Sequence, residues 1–251
     1  MNNLQFESIL NELLSPHTIK DYCPNGLQVE GKTDIRKVIT GVTASQDLIE
    51  QAIEHKADAL LVHHGFFWKG EPSELRGMKF RRIKALIENG INLYAYHLPL
   101  DIHPELGNNA QLANLLDLKT IGGLEPGDNS VAMWGELSLA MPSEDFAAII
   151  EKVLNRKPLH ITHSGSNLIK TVGWCTGGGQ DYIDLAAQKG LDAFISGEIS
   201  ERTVHSAREL GIHYFSAGHH ATERYGVKAL GEWLAKEHNL DVTFIDIDNP
   251  V

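Results

Sequence analysis

Apolar residues recur along this chain with two alternating periods, that of a buried strand and that of a one-sided helix. "LQFESILNELL" places Leu4, Ile9, Leu10, Leu13 and Leu14 on one stripe and predicts an opening helix. "CPNGLQVEG" reads as a turn and a short strand. "KVITGV" is a buried strand, and "SQDLIEQAIEHK" a helix with Ser45 as its N-cap. "DALLVHH" is the next strand, and "KFRRIKALIENG" a helix stopped by Gly90. "INLYAYH" is a third strand and "NNAQLANLLDL" a further helix.

"GGLEPGDNS", at 122–130, is a Gly/Pro-rich break and the first candidate boundary. "VAMWGELSLAM" then alternates as a strand, and "SEDFAAIIEKVLN" is a helix with Ser143 as its cap. Strands "KTVGWCT", "DAFISG" and "IHYFSAG" follow, separated by helices "DYIDLAAQKG" and "ERTVHSARELG". A long helix, "TERYGVKALGEWLAKEH", precedes a last strand, "DVTFIDI".

This alternation contains an internal repeat. "KVITGVTASQDLIEQAIEHKADALLVHH" aligns with "KTVGWCTGGGQDYIDLAAQKGLDAFISGE" once a glycine is inserted between strand and helix. Gln46-Asp47 then falls on Gln180-Asp181, Asp58-Ala59 on Asp192-Ala193, and "ENGINLYAYH" on "ELGIHYFSAGH". The expected fold is α/β. It has two related β-α-β-α-β halves, mostly parallel, with sheets flanked by helices and a metal site in the cleft between the halves. Residues 1–125 form the first half, completed by 219–251, and 126–218 the second.

The 251 residues, 42% hydrophobic, suffice for one large or two small cored domains. A net charge of −11 disfavours an open nucleic-acid surface, which needs a basic field. Cys23 and Cys175 make no disulfide framework and no Cys-x-x-Cys zinc site. The N-terminal stretch carries acids rather than a basic leader, and no apolar run is long enough to span a bilayer. A cytoplasmic protein with no membrane partner is expected.

Open α/β sheets present ligands at the carboxyl ends of their strands. His63 and His64 end the second strand, "HLPLD" (His97 to Asp101) leaves the third, and "GHHATE" leaves the matching strand of the second half. Glu198 occupies the repeat position of His64. Imidazole and carboxylate together suit zinc, iron, manganese or nickel. His219 and Glu223 stand four apart, on one face if a helix begins near Ala221. Five such ligands, with a bridging carboxylate, fit two divalent ions better than one, and such a pair can activate a water.

Thirteen histidines weigh against assigning any single one as a ligand. His17, His55, His160, His163 and His238 are taken as surface or supporting residues, and His103 as supporting or exposed. His220 could replace His219; the spacing to Glu223 favours His219, but spacing alone leaves both open. A strand-end hydrogen-bonded pair is the plain alternative for His63-His64, and a helix cap for Asp101. "TGGGQD", at 176–181, is first a tight turn and second a phosphate cradle, lacking both the phosphate-loop and the dinucleotide spacing. Ser196 and Ser216 lie in no Gly-x-Ser-x-Gly elbow, and Cys175 sits inert in an apolar strand. Phe66-Phe67-Trp68 packs the core or walls a planar substrate or a subunit contact.

"PNGLQVEG", "LLVHHGFFW", "YAYHLPLD", "ISGE" and "SAGHHATE", in this order, resemble the GTP cyclohydrolase I type 2 homologues, or Nif-three-like family. The short bacterial YbgI-type members are the most similar, and the resemblance covers nearly the whole chain. It implies a dinuclear metal centre in a toroidal homohexamer. His63, His64, Asp101, His219 and Glu223 would be the ligands, Glu223 bridging, with His97 beside them as a proton carrier or substrate contact. The implied function is metal-dependent hydrolysis, a cyclohydrolase-like C–N ring opening of a nucleotide or related cyclic amidine. The alternative is a non-catalytic toroidal metal-binding scaffold or regulatory protein.

Overall fold

The opening stripe folds into α1 (Asn3–Leu14) in the computed structural model, which describes residues 1–127 and 129–251. Asn2 begins it with a capping box: its side chain accepts the Gln5 N–H, and the Gln5 side chain accepts the Asn2 N–H. Phe6, Leu10 and Leu14 form the buried face, while Leu4 points outward at 62% exposure. The face is set by the i, i+4, i+8 row from Phe6, from which Leu4 is rotated away.

The chain continues through β1 (Gly26–Val29), β2 (Lys37–Thr43), α2 (Gln46–Glu54), β3 (Ala59–His64), α3 (Gly77–Asn89), β4 (Asn92–Ala95) and α4 (Leu98–Ile102). Next come α5 (Asn108–Leu115), β5 (Leu118–Gly123), β6 (Met133–Pro142), α6 (Ser143–Leu154), β7 (Leu159–Ile161) and β8 (Leu168–Cys175). The last elements are α7 (Ile183–Gln188), β9 (Ala193–Ser196), α8 (Glu201–Leu210), β10 (His213–Ser216), α9 (His219–His238) and β11 (Asp241–Phe244). No described helix is long and apolar enough to cross a membrane.

Two units result: Met1–Gly107 with Gly226–Asp248, and Asn108–Tyr225 with Asn249–Val251. The first sheet has the order β1-β4-β3-β2-β11, parallel except for β1. Leu48, Ile49, Ile83 and Leu86 from α2 and α3 cover one face. Phe6 and Leu10 from α1, with Val227, Leu230 and Leu234 from α9, cover the other. Burial on both faces explains why its strands read as continuous apolar runs.

The second sheet has the order β5-β6-β8-β9-β10-β7, in which only β8, β9 and β10 run parallel. It is therefore less parallel than the alternation suggested. The 122–130 break, which contains residue 128 outside the described set, joins β5 to its antiparallel partner β6 within this one sheet. The division falls after Gly107 instead of near 125 because α5 packs with the second unit. Leu112 and Ala113 lie in that core, and the Asn109 carbonyl accepts the Trp174 indole N–H at 3.1 Å. The last strand returns to the first unit, where β11 pairs with β2.

Strand register runs alike in the two sheets. Val38 faces Ala59 as Val172 faces Ala193, and Asn92 faces Ala59 as His213 faces Ala193. Lys37 thus matches Thr171, not Lys170, and no glycine is inserted between strand and helix. Ser45 caps α2 by accepting the Leu48 N–H at 3.2 Å, and its counterpart Gly179 precedes a 3-10 turn. Gly90 and Gly211 end α3 and α8 alike in the left-handed conformation. Ser143 departs from expectation: it is the first residue of α6, fully buried, and its hydroxyl bonds the Asn167 side chain instead of capping.

Candidate metal centre

In the first unit, β3 delivers His63 and His64 at its carboxyl end, and the chain leaving β4 delivers His97 and then Asp101 in α4. One nitrogen from each of His63, His64 and His97 lies within 4.8 Å of the others. The His63 and His64 ring centres are 4.5 Å apart, and that of His97 is 5.1 Å and 5.8 Å from them. His63, His97 and Asp101 are buried, and His64 is half-buried. His63 Nδ1 donates to the Tyr96 carbonyl at 3.0 Å, which makes Nε2 the lone-pair nitrogen of the neutral ring. That Nε2 lies 3.5 Å from Asp101 Oδ1. His64 Nδ1 meets Thr43 Oγ1 at 3.1 Å. A ring nitrogen held by an outer partner while the other faces a carboxylate is the arrangement of metal-ligating histidine.

His97 is gripped separately. Its Nδ1 is 2.9 Å from Asp21 Oδ1, and its backbone N–H donates to Asn25 Oδ1 at 2.7 Å. Burial works to raise the Asp21 pKa, yet the hydrogen bonds and charge of His97, with Asn25 and the Tyr22 N–H, bring it down to about 2. The Cys23 thiol goes the other way, pushed up to about 12 by burial and by the Asp21 charge, and is no nucleophile at neutral pH. Trp68 meets His97 edge-on at 4.9 Å, and Tyr22 does so at 5.2 Å.

In the second unit, α9 starts at His219, two residues earlier than expected, so His219 and Glu223 are one helical turn apart. His219 Nε2 lies 3.1 Å from Glu223 Oε2, and its Nδ1 2.7 Å from Glu198 Oε1. Glu198, two residues past the end of β9, thus orients the imidazole. Glu223 is buried at 3% exposure. Burial lowers the His219 pKa, but Glu223 and Glu198 outweigh it and raise it to about 9. A divalent cation held by the same nitrogen and carboxylate would compete with a proton there. His220 is also buried, and its backbone N–H donates to the Val251 carbonyl.

The glycine-rich turn serves this pair. Gly177 has φ +62°, and a Cβ there would lie 1.9 Å from Glu223 Oε1. Its N–H donates to Thr222 Oγ1 at 3.0 Å, and its carbonyl accepts from Gly197 N–H and Ser196 Oγ. The turn is a close-packed wall over His219 and Glu223.

The other histidines fill supporting roles. His55 Nδ1 contacts the Gln51 carbonyl, His103 Nδ1 accepts the N–H groups of Glu105 and Leu106, and His238 packs on Trp233. His160 and His163 gather around His213. The partners Asp21, Thr43 and Tyr96, and the contact of Glu198 with His219, escaped the sequence reading. Only the position of Glu198 opposite His64 in the repeat signalled any of them.

The donors in each unit are imidazole and carboxylate, buried or half-buried, and the Cys23 thiol near His97 holds its proton, so they fit a divalent cation of borderline hardness. A model of the Duf34/NIF3 (NGG1p interacting factor 3) family matches residues 1–250. The GTP cyclohydrolase 1 type 2 homolog of Vibrio cholerae serotype O1 is 70% identical over 252 residues, with all of both chains covered. The protein of the same name from Haemophilus influenzae is 66% identical over 250 residues, again with full coverage. A solved protein, ybgI, of unknown function, superposes with a TM-score of 0.97 at 56% identity and covers 100% of both chains.

Proposed function

Because the chain belongs to the Duf34/NIF3 (NGG1p interacting factor 3) family, we propose that it is a metal-dependent hydrolase that opens a C–N bond in a nucleotide or related cyclic amidine. His63, His64, Asp101, His219 and Glu223 would hold two divalent ions drawn from iron, zinc, manganese and nickel. The observation that carries this reading is the donor set at the strand ends of the first unit: His63 and His64 with ring centres 4.5 Å apart, and Asp101 Oδ1 3.5 Å from His63 Nε2. The name shared by the relatives, GTP cyclohydrolase 1 type 2 homolog, makes GTP the first substrate to try.

Two bound cations supply Lewis acidity and a water acidified toward neutrality. The chain's own residues do the rest. His97 takes the proton released when water oxygen adds to the ring carbon, and returns it to the nitrogen as the C–N bond breaks. Trp68 and Tyr22 form aromatic walls beside His97 on which a planar base packs. Copies of the chain itself are the partners, six in a ring, a mass that light scattering reads directly.

The test is a turnover screen of protein loaded with each metal, against GTP, cyclic amidines and phosphoesters. Hydrolysis that stops on chelation, and in Asp101→Asn and Glu223→Gln with the fold retained, is expected. No turnover with any metal on any compound would replace this reading with that of a metal-binding scaffold.

A further inference from the structure

Outside the ligand set, one carboxylate is more heavily engaged than a loop residue needs to be. The Asp21 side chain is only 4% exposed. Its Oδ1 accepts the Tyr22 N–H at 2.7 Å and faces His97 Nδ1 at 2.9 Å. Its Oδ2 accepts the Leu98 N–H and the Asn25 amide, both at 3.0 Å. Asn25 in turn accepts the backbone N–H of His97 at 2.7 Å. Residue 97 is thus fixed at its backbone and at one ring nitrogen, while Trp68 and Tyr22 present edges to the ring.

We propose that Asp21 is the positioning residue of His97, holding the ring as its Nδ1–H tautomer so that the lone pair lies on Nε2. A carboxylate surrounded by N–H donors accepts and does not donate, so the hydrogen shared with His97 resides on Nδ1. An isolated neutral imidazole side chain favours the opposite tautomer, so the protein must impose this one. Placing the proton on Nδ1 leaves the Nε2 lone pair as the ring's basic site. The same logic orients the histidine of hydrolytic triads, where a buried aspartate fixes the tautomer without itself taking the proton. The assignment of a proton-exchanging role rests on the proposed hydrolysis; the tautomer does not.

The experiment uses the full chain with 15N-labelled histidine, stripped of metal by chelation and held at alkaline pH where imidazole is neutral. Long-range proton–nitrogen correlation reads the tautomer of each ring. Wild type is expected to show His97 protonated at Nδ1. Asp21→Ala and Asp21→Asn are expected to shift it to Nε2–H, with the His160 and His213 signals unmoved as proof of an intact fold. A wild-type His97 protonated at Nε2, or Nδ1–H retained in both variants, would overturn the proposal. Zinc content of the reloaded samples is expected to match wild type. Loss of zinc in the variants would make Asp21 and His97 part of the metal-holding set and overturn it equally. Where turnover is found, Asp21→Asn is expected to lower kcat by about 100-fold at unchanged KM. Absence of turnover removes the hydrolase reading while leaving the tautomer result standing.

Discussion

Asp58 and Asp192 do the same work in the two units. Asp58 Oδ2 accepts the N–H groups of Arg36 and Lys37 at 3.1 and 3.0 Å, and Asp192 Oδ2 accepts those of Lys170 and Thr171 at 3.0 and 2.8 Å. Each ties the start of one parallel strand to the start of the next. At the far ends of the same strands the likeness stops. The first unit places His63-His64 where the second has Gly197-Glu198, and Thr43 where the second has Gly177. Strand starts and middles are dictated by packing and backbone pairing, which admit few side chains. Strand ends carry no such demand, so His63 and His64 gather there in the first unit, and Glu198, which holds His219, in the second.

The largest stability difference between the units is expected at that last pair of positions. Gly177→Ala forces a left-handed backbone and drives a methyl into Glu223, a cost of about 2–3 kcal/mol. Thr43→Ala removes one hydrogen bond to His64 and costs about 1 kcal/mol. Urea unfolding of the two variants gives both numbers; equal losses would show that the Gly177 turn is not pressed against Glu223.

A middle-sized effect probes the shared frame. Asp58→Ala and Asp192→Ala each strand two backbone donors and are expected to cost about 2 kcal/mol apiece. Denaturation midpoints that fall strongly for one and not the other would break the equivalence.

The smallest effect is a pH dependence confined to the second unit. His160 in β7 lies opposite Phe215, where Leu27 in β1 lies opposite Tyr94. His213 Nε2–H donates to the Ser166 carbonyl, so His213 Nδ1 accepts from His160 Nε2–H at 3.1 Å. Burial first, and the charge of His213 second, hold the His160 pKa down to about 4. The unfolded chain therefore takes up this proton before the folded one. Its stabilising contribution is full above a pH of about 6.5 and fades as pH falls toward 4. Thermal unfolding between pH 7.5 and 4 is expected to show a shallower acid decline in His160→Leu; parallel curves would remove His160 from that titration.

What the sequence disclosed follows the same division. The apolar runs of β2, β3 and β8 and the glycine stop at Gly90 are local signals, and they read correctly. The three-residue β7, "LHI", is too short to carry a period, and β5 reads polar because it is mostly exposed. Ser143 looked like a cap because nothing local reveals Asn167, whose backbone and side chain already hold it. Asp21 was invisible for a similar reason: its meaning lies in His97, reached only through the fold.

Metal content per chain, measured by plasma mass spectrometry on protein dialysed against iron, zinc, manganese or nickel, tests the central assignment most directly. Two equivalents in wild type, falling in both Asp101→Asn and Glu223→Gln, are expected from the proposed ligands. Two equivalents retained by both variants, or none bound by wild type, would contradict it.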